Sequence, residues 1–493
     1  MSNSMGTGTS GATQAVVEVL ARLEVEEPDL APQLSAIRER VEGPLRVAIA
    51  GRVKAGKSTL LNALVGERLA PTDAGECTRL VSWYRKGPTY EVSAHRTDGS
   101  DKTLTFHRTD GALDVQLGGL SESDVAWLDV RWPTSALENI TLIDTPGLAS
   151  LNDENSRRTR DFLDHDGESA SDADAVIYLM RHVHKDDVAF LDAFMDRSVA
   201  AASPVNAVAV LSRADEIGAG RLDAMESATR IARRYESDPQ LRSLCATVTP
   251  MAGLLAETGL TLREEEVAHL RTLASTEPEV LERMLLSTEQ FFEMSASVLT
   301  VEVRRDLFER LGMYGVKVAL RELAAGSTTA AQLGPRLVEL SGLGALRGII
   351  TEHFMPRARV LKARTALAAL RLLARELAST DPRTAKAIDR EAERIESGAV
   401  EFAQLRSAHL VASGGVAVNE RERAELGRLL LSSSATAALG LADDASVEEV
   451  RASSLAAVSR WRNRAGDPLA DPALAEVCET AARSCEALYF ATT

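Results

Sequence analysis

Eight residues, Gly51-Arg52-Val53-Lys54-Ala55-Gly56-Lys57-Ser58, have the spacing G-x-x-x-x-G-K-S, and Thr59 follows them. Glycines let such a backbone curl until successive N–H groups point inward, which makes a nest for a phosphate anion. Lys57 can span neighbouring phosphates, and the Ser58 hydroxyl is a hard oxygen ligand for Mg²⁺. The context supports the match. Leu45-Arg46-Val47-Ala48-Ile49-Ala50 reads as a strand before the loop, and Leu60, Leu61, Ala63 and Leu64 begin an apolar helix after it.

Three further segments lie where strands of such a fold end. Asp144-Thr145-Pro146-Gly147 follows the strand-like Ile140–Ile143; its carboxylate can hold Mg²⁺ through water, and the N–H of Gly147 can sense a terminal phosphate. Ser212-Arg213-Ala214-Asp215 follows the apolar run Asn206–Leu211, at the carboxyl edge of the sheet. This tetrapeptide resembles the guanine-recognition motif of GTPases, Asn/Thr-Lys-x-Asp. There the aspartate accepts from guanine N1–H and the exocyclic amine, and adenine has neither donor in that arrangement. The Arg213 stem can cover the base face as lysine does, while Ser212 offers fewer loop contacts. Thr249-Pro250-Met251-Ala252-Gly253 occupies the place where GTPases supply a backbone contact to the base edge, which singles out Ala252. Between the first two motifs, the polar loop Pro71–Arg79 offers a hydroxyl that can complete a Mg²⁺ shell with the triphosphate and leave it after hydrolysis; Thr78 is favoured, with Thr72 the competitor. The metal set is therefore Ser58, Thr78 and Asp144. The nucleotide set is Gly51, Lys54, Ala55, Gly56, Lys57, Ser58, Thr59, Ser212, Arg213, Asp215 and Ala252.

These residues need a scaffold of alternating strands and helices. Strands are predicted at 45–50, 139–143, 174–180, 206–211 and 246–249, with helices beginning near Lys57, Glu154, Asp186, Arg221 and Asp238. That alternation predicts an α/β P-loop domain, a mostly parallel sheet with helices on both faces. A β-rich stretch at 79–132 would extend the sheet by hairpins. Beyond 256 nearly every segment has helical periodicity, which predicts an all-α helical bundle. Capping pairs Ser446/Glu449 and Asn419/Glu422, and breaks at Pro468 and Pro472, punctuate it. Two short helices at 12–42 each carry an apolar stripe that needs a partner, and they are expected to pack into the bundle.

At 493 residues the chain exceeds one ordinary core. Its formal charge of −16 argues against broad nucleic-acid binding, which requires clustered cations. Residues 1–11 lack the basic start and apolar core of a signal peptide and are expected to be a disordered tail. No apolar run reaches the length of a membrane span. Cys77, Cys245, Cys478 and Cys485 lack metal-ligand spacing, which points to a reduced, cytoplasmic setting, peripheral to the membrane at most.

The ordered motifs, with helices before and a long helical half after, resemble bacterial dynamin-like GTPases. Among them the chain is most similar to the isoniazid-inducible Ini proteins of mycobacteria and related actinobacteria, the shorter type in particular. Ala55–Leu60, Ala70–Ala74, Ser212–Arg221 and Arg310–Gly315 carry the resemblance. It implies a GTPase head over 45–255, a helical neck and hinge over 256–350, and a trunk over 351–493, with residues 12–44 returning to the stalk. It also implies GTP as substrate, self-association through heads, and remodelling of the cytoplasmic membrane; a sister dynamin-like subunit is a further candidate partner, under the scaffold alternative. Leu148 stands where other GTPases place a water-orienting glutamine, so Lys57, Thr78, Gly147 and the loop cation Lys54 are the candidate catalytic groups. Lys54 occupies the position of a dynamin serine, and either supplies transition-state charge or is a solvated residue of the rim.

Two segments suggest contact with anionic lipid. One is the basic stretch carrying Arg357, Arg359, Lys362, Arg364, Arg371 and Arg375; the other is the glycine-containing loop at 409–418 with Val416 and Val418. The basic stretch is more often one solvated helix of a bundle, and the loop is either a lipid-inserting tip or a hinge. Leu311–Val316, with Gly312 and Gly315, is the candidate hinge. Rival functions are a GTP-binding scaffold with little turnover and an Era-type regulatory GTPase; the latter requires a basic RNA-binding appendage that the acidic helical half does not offer.

Overall fold

The computed structural model describes residues 11–70, 80–109, 112–145, 173–181, 204–294, 298–432, 434–468 and 471–491. Thr72, Cys77, Thr78, Gly147, Leu148 and the helices expected from Glu154 and Asp186 lie outside those residues. The strands, in chain order, are β1 (Leu45–Gly51), β2 (Ser82–Lys86), β3 (Glu91–Arg96), β4 (Asp101–Thr103), β5 (Thr105–Thr109), β6 (Ala112–Gln116), β7 (Val125–Trp132), β8 (Ile140–Asp144), β9 (Ala175–Met180), β10 (Ala207–Ser212) and β11 (Val248–Met251).

Nine of them form one sheet in the order β11-β10-β9-β1-β8-β2-β7-β3-β4. From β11 to β8 every pairing is parallel, and β9 and β10 are buried along their whole length. Side chains alternate across this layer as the strand period requires. Leu45, Val47 and Ile49 enter one core beneath helix Lys57–Val65, while Ala48 and Ala50 enter another beneath helices Ala224–Glu236 and Pro239–Leu244.

The β-rich stretch extends the sheet, though only partly by hairpins. β2 runs antiparallel to β8, but β7 returns parallel to β2, with β3 and β4 added antiparallel at the edge. β5 and β6 pair only with each other, as a separate ribbon. Alternation in sequence marks a strand but not its neighbour, and so the pairing was hidden.

From Gly253 the described chain is helical. The boundary expected between 255 and 256 falls inside helix Gly253–Leu260, whose Leu255 joins a core built from Ala224 and helices up to Ala330–Leu340. Helices Gly11–Glu26 and Ala31–Glu42 share a core with Ala358–Leu377 and Pro382–Gly398. The 20-residue helix Ala358–Leu377 begins in the sheet's core with Leu361 and continues into that bundle with Ala363, Ala366, Leu367 and Leu370. Both expected capping boxes form, Asn419 with Glu422 and Ser446 with Glu449. Pro472 opens the last helix, Pro472–Ala491.

Neither lipid candidate is an unengaged surface. Arg357 donates to the carbonyls of His353 and Leu431, Lys362 to the carbonyl of Gly43, and Arg371 pairs with Glu396. These are bundle contacts. Val416 is only 3% exposed and belongs to the core of the C-terminal helices, against which Val418 also packs. The loop is a helix end capped by left-handed Gly414, not an exposed apolar tip.

Candidate functional site

The phosphate loop connects β1 to helix Lys57–Val65 and depends on local backbone freedom. Gly51 has φ +148, and a Cβ there would stand 2.5 Å from the Leu179 carbonyl of β9, so only glycine permits this strand spacing. Gly56 enters the helix at φ +93. Lys54 is also left-handed, φ 62, and exposed on the rim. Lys57 turns back into the loop, where its ammonium donates to the carbonyls of Gly51 at 3.2 Å and Arg52 at 3.4 Å. Burial lowers its pKa, and nearby Asp144 opposes that shift.

Ser58 Oγ donates to Asp144 Oδ2 at 3.1 Å across the gap between the loop and the end of β8. Burial pushes the Asp144 carboxyl up to about 6, against the pull of Lys57 and the bond from Ser58. Its other oxygen, Oδ1, is buried without a hydrogen-bond partner among the described residues. A buried carboxylate oxygen left over beside a hydroxyl is a hard-ligand pair of the kind that suits Mg²⁺. Thr145 anchors this corner: its hydroxyl donates to the Ile49 carbonyl at 3.0 Å. The motif contained Thr145, yet nothing in the sequence distinguished this anchoring role.

One cavity joins the separate motifs. It is lined by Ala55, Gly56 and Thr59 from the phosphate loop and the helix that follows it, by Ser212, Arg213 and Asp215 at and beyond the end of β10, and by Met251, Gly253 and Leu254 at and beyond the end of β11. Asp215 is largely buried. Burial pushes its carboxyl up to about 6, Glu216 adds to that, and Arg213 and Arg181 oppose it. Ser212 Oγ donates to the Met180 carbonyl at 3.2 Å, holding β10 to β9 at the cavity's back. Arg213 is left-handed at φ 51, and its guanidinium bonds Glu216 at 2.7 Å.

Both backbone groups of Ala252, expected to offer a contact to the base edge, have partners in the protein. Its N–H donates to the Ser341 carbonyl at 2.9 Å and its carbonyl accepts from Ala256, so its neighbours Gly253 and Leu254 line the cavity instead. The motif located the segment. Which backbone group faced inward depended on helix Ala330–Leu340 ending beside it, which no local pattern announces.

Residues 47–196 match the family model described as the Dynamin family. The isoniazid-induced protein IniC of Mycobacterium tuberculosis is 40% identical over 465 residues, covering 93% of each chain. The chain is a dynamin-family GTPase of the IniC type. A bacterial dynamin-like protein of Nostoc punctiforme is 34% identical over 133 residues, 25% of this chain and 19% of that protein. A solved structure titled as an oligomerised bacterial dynamin pair for long-range sensing and tethering of membranes covers 80% of this chain and 79% of its own. It has 15% identity and a TM-score of 0.30, a superposition too loose to inform on the arrangement here.

As a dynamin-family GTPase the chain binds and hydrolyses GTP. Of the expected nucleotide set, Ala55, Gly56, Thr59, Ser212, Arg213 and Asp215 line the cavity, Gly51, Lys57 and Ser58 lie in the adjoining loop and helix start, and Lys54 and Ala252 are not in its lining. Leu179, Val210 and Leu254 also line it and were not anticipated. Apolar strand residues carry no mark in sequence of which face will meet a ligand.

Proposed function

We propose that this GTPase holds its substrate with Mg²⁺ and uses paired heads to move a helical stalk that remodels the cytoplasmic membrane. The proposed head is 45–255, with a neck and hinge over 256–350 and a trunk formed by 351–493 with residues 12–44. The observation that carries the nucleotide part is the cavity shared by the phosphate loop and Asp215, with the phosphate end and the base end on one sheet edge. Ser58 and Asp144 are the residues that would hold the metal, with Thr78 as the proposed third contribution. Magnesium bound there would neutralise charge on the terminal phosphates.

The protein's own groups supply the rest. Lys57, already directed into the loop, exchanges carbonyl partners for phosphate oxygens. Gly147 is proposed to present its N–H to the γ-phosphate. Lys54 is assigned the role of an internal cation, because its exposed position on the rim lets it reach forward when a second head covers the site. Pairing with another head, or with a sister subunit, then completes catalysis. No helix among the described residues is long and apolar enough to cross a membrane, so the proposed contact with anionic lipid is peripheral.

The test is turnover of GTP by the purified chain across protein concentrations, with and without anionic liposomes, with Lys57→Ala and ATP as controls. Turnover selective for GTP that rises with concentration and with liposomes is the expected result. Turnover indifferent to both would overturn the remodelling role, and unchanged turnover in Lys54→Ala would remove the internal cation.

A further inference from the structure

Two segments about a hundred residues apart meet behind the base end of the cavity. Helix Val301–Ala324 is broken at Gly312, whose φ of 64 and ψ of 176 lie far outside the helical range. The break faces Asp215: a Cβ on Gly312 would lie 3.7 Å from Asp215 Oδ2 and 3.8 Å from the Leu254 side chain. Just beyond it, Tyr314 and Met313 back onto Gly220, where an added Cβ would stand 3.4 Å from the Tyr314 nitrogen. Lys317 closes the contact by donating from Nζ to the Gly220 carbonyl at 3.1 Å. Gly315, the other glycine of the expected hinge, is not left-handed; it permits close packing on Leu311 and Leu255.

The loop that this helix supports is strained. Gly218, Ala219 and Gly220 have φ of 66, 59 and 70, and Arg213 is left-handed too. An alanine in that region costs about 1 kcal/mol and persists only where its surroundings hold it. One end of the loop is held by Glu216, which pairs with Arg181 and Arg213. The other end is held by Lys317. The bend has its own support on the far side, where Thr258 Oγ1 donates to the Arg310 carbonyl and Arg310 pairs with Glu266 at 2.7 Å.

We infer that the bent segment 310–317 is part of the base-recognition apparatus: Lys317 and Gly312 are positioning residues that hold the 212–220 loop so that Asp215 is directed at the base. This rests on the reading of Asp215 as the base-selecting carboxylate. Neither residue is in the cavity lining; each acts through the loop. Selectivity for the guanine exocyclic amine is therefore the property they control, more than phosphate affinity.

The test compares dissociation constants of GDP and inosine diphosphate, which lacks that amine, for the full chain and its variants. Lys317→Ala is expected to weaken GDP binding roughly fivefold to tenfold while inosine diphosphate binding changes much less, and Lys317→Arg to restore the preference. Gly312→Ala is expected to lose the preference in the same way. Gly326→Ala, at a φ of +107 with nothing within 4 Å, imposes comparable strain at the end of the same helix and is expected to keep it. An unchanged ratio in Lys317→Ala, equal weakening of both nucleotides, or the same loss in Gly326→Ala would overturn the inference. Asp215→Asn separates the two readings. If it keeps the GDP preference, the assignment of Asp215 itself fails; if it abolishes the preference while Lys317→Ala does not, only the positioning role fails.

Discussion

Two carboxylates at the nucleotide site are held near a pKa of about 6, and both owe this first to burial. For Asp215 the consequence has a sign. The proposed base recognition requires the ionised form, so GDP affinity is expected to fall as pH drops below about 6, reaching roughly tenfold weaker near pH 5. Titrating GDP binding in excess chelator checks this apart from any metal, with Asp215→Asn as the control that keeps the titration of Asp144 and of the terminal phosphate but lacks that of Asp215. In the free protein the effect on stability is opposite. A folded value of about 6 against 3.8 for the unfolded chain gives a contribution fully present below 3.8 and lost as pH rises through about 6. Lys57 differs because its buried ammonium already has carbonyl partners. Lys57→Ala is expected to lower GTP turnover by about 10²-fold or more, with the melting temperature as the control for folding.

Elements around the site approach one another at glycines. Helices Gly253–Leu260 and Ala330–Leu340 cross where Gly259 and Gly334 face each other, and a Cβ on Gly334 would meet the Gly259 carbonyl at 2.6 Å. Gly334→Ala must separate these helices, at a cost of about 1–3 kcal/mol, readable as a lower urea midpoint at unchanged slope. Helix Gly253–Leu260 matters beyond packing because it lines the base cavity at one end and meets Arg68 through Glu257, 2.9 Å away, at the other. Asn62 holds the same stretch by accepting from the N–H groups of Leu69 and Ala70. The chain leading up to Ala70 is thus fixed to the helix that borders the cavity.

Across the whole molecule, Asp174 joins three parts of the chain. Its carboxylate accepts from the Arg46 N–H at the start of β1 and from Thr365 Oγ1 of helix Ala358–Leu377, each at 2.9 Å, and it lies 3.9 Å from Arg40 of helix Ala31–Glu42. Removing a buried carboxylate from such a set typically costs about 3–5 kcal/mol. Asp174→Ala is expected to lose that stability and to split thermal unfolding into separate transitions of sheet and bundle, as seen by calorimetry. The helical half makes the complementary case. With Val416 in a core, Val416→Asp is expected to destabilise the protein before it affects lipid, so a melting curve should report the change. A folded Val416→Asp that no longer sediments with liposomes would restore the tip reading.

Legible in local pattern were the phosphate loop, Asp144 at the end of β8, Asp215 beyond the end of β10, and the change from alternating elements to helices. Each depends on interactions within a few residues: a glycine curl, an apolar run ending in a carboxylate, a capping pair. The tertiary structure alone decided the rest. It decided that β7 runs parallel to β2, that Ala252 gives its N–H to Ser341, and that Arg357, Lys362 and Arg371 of the basic stretch bond to neighbouring segments. It also decided that the break at Gly312 stands behind Asp215. Those outcomes rest on partners tens to hundreds of residues away, and local periodicity specifies which face an element buries without specifying what it is buried against.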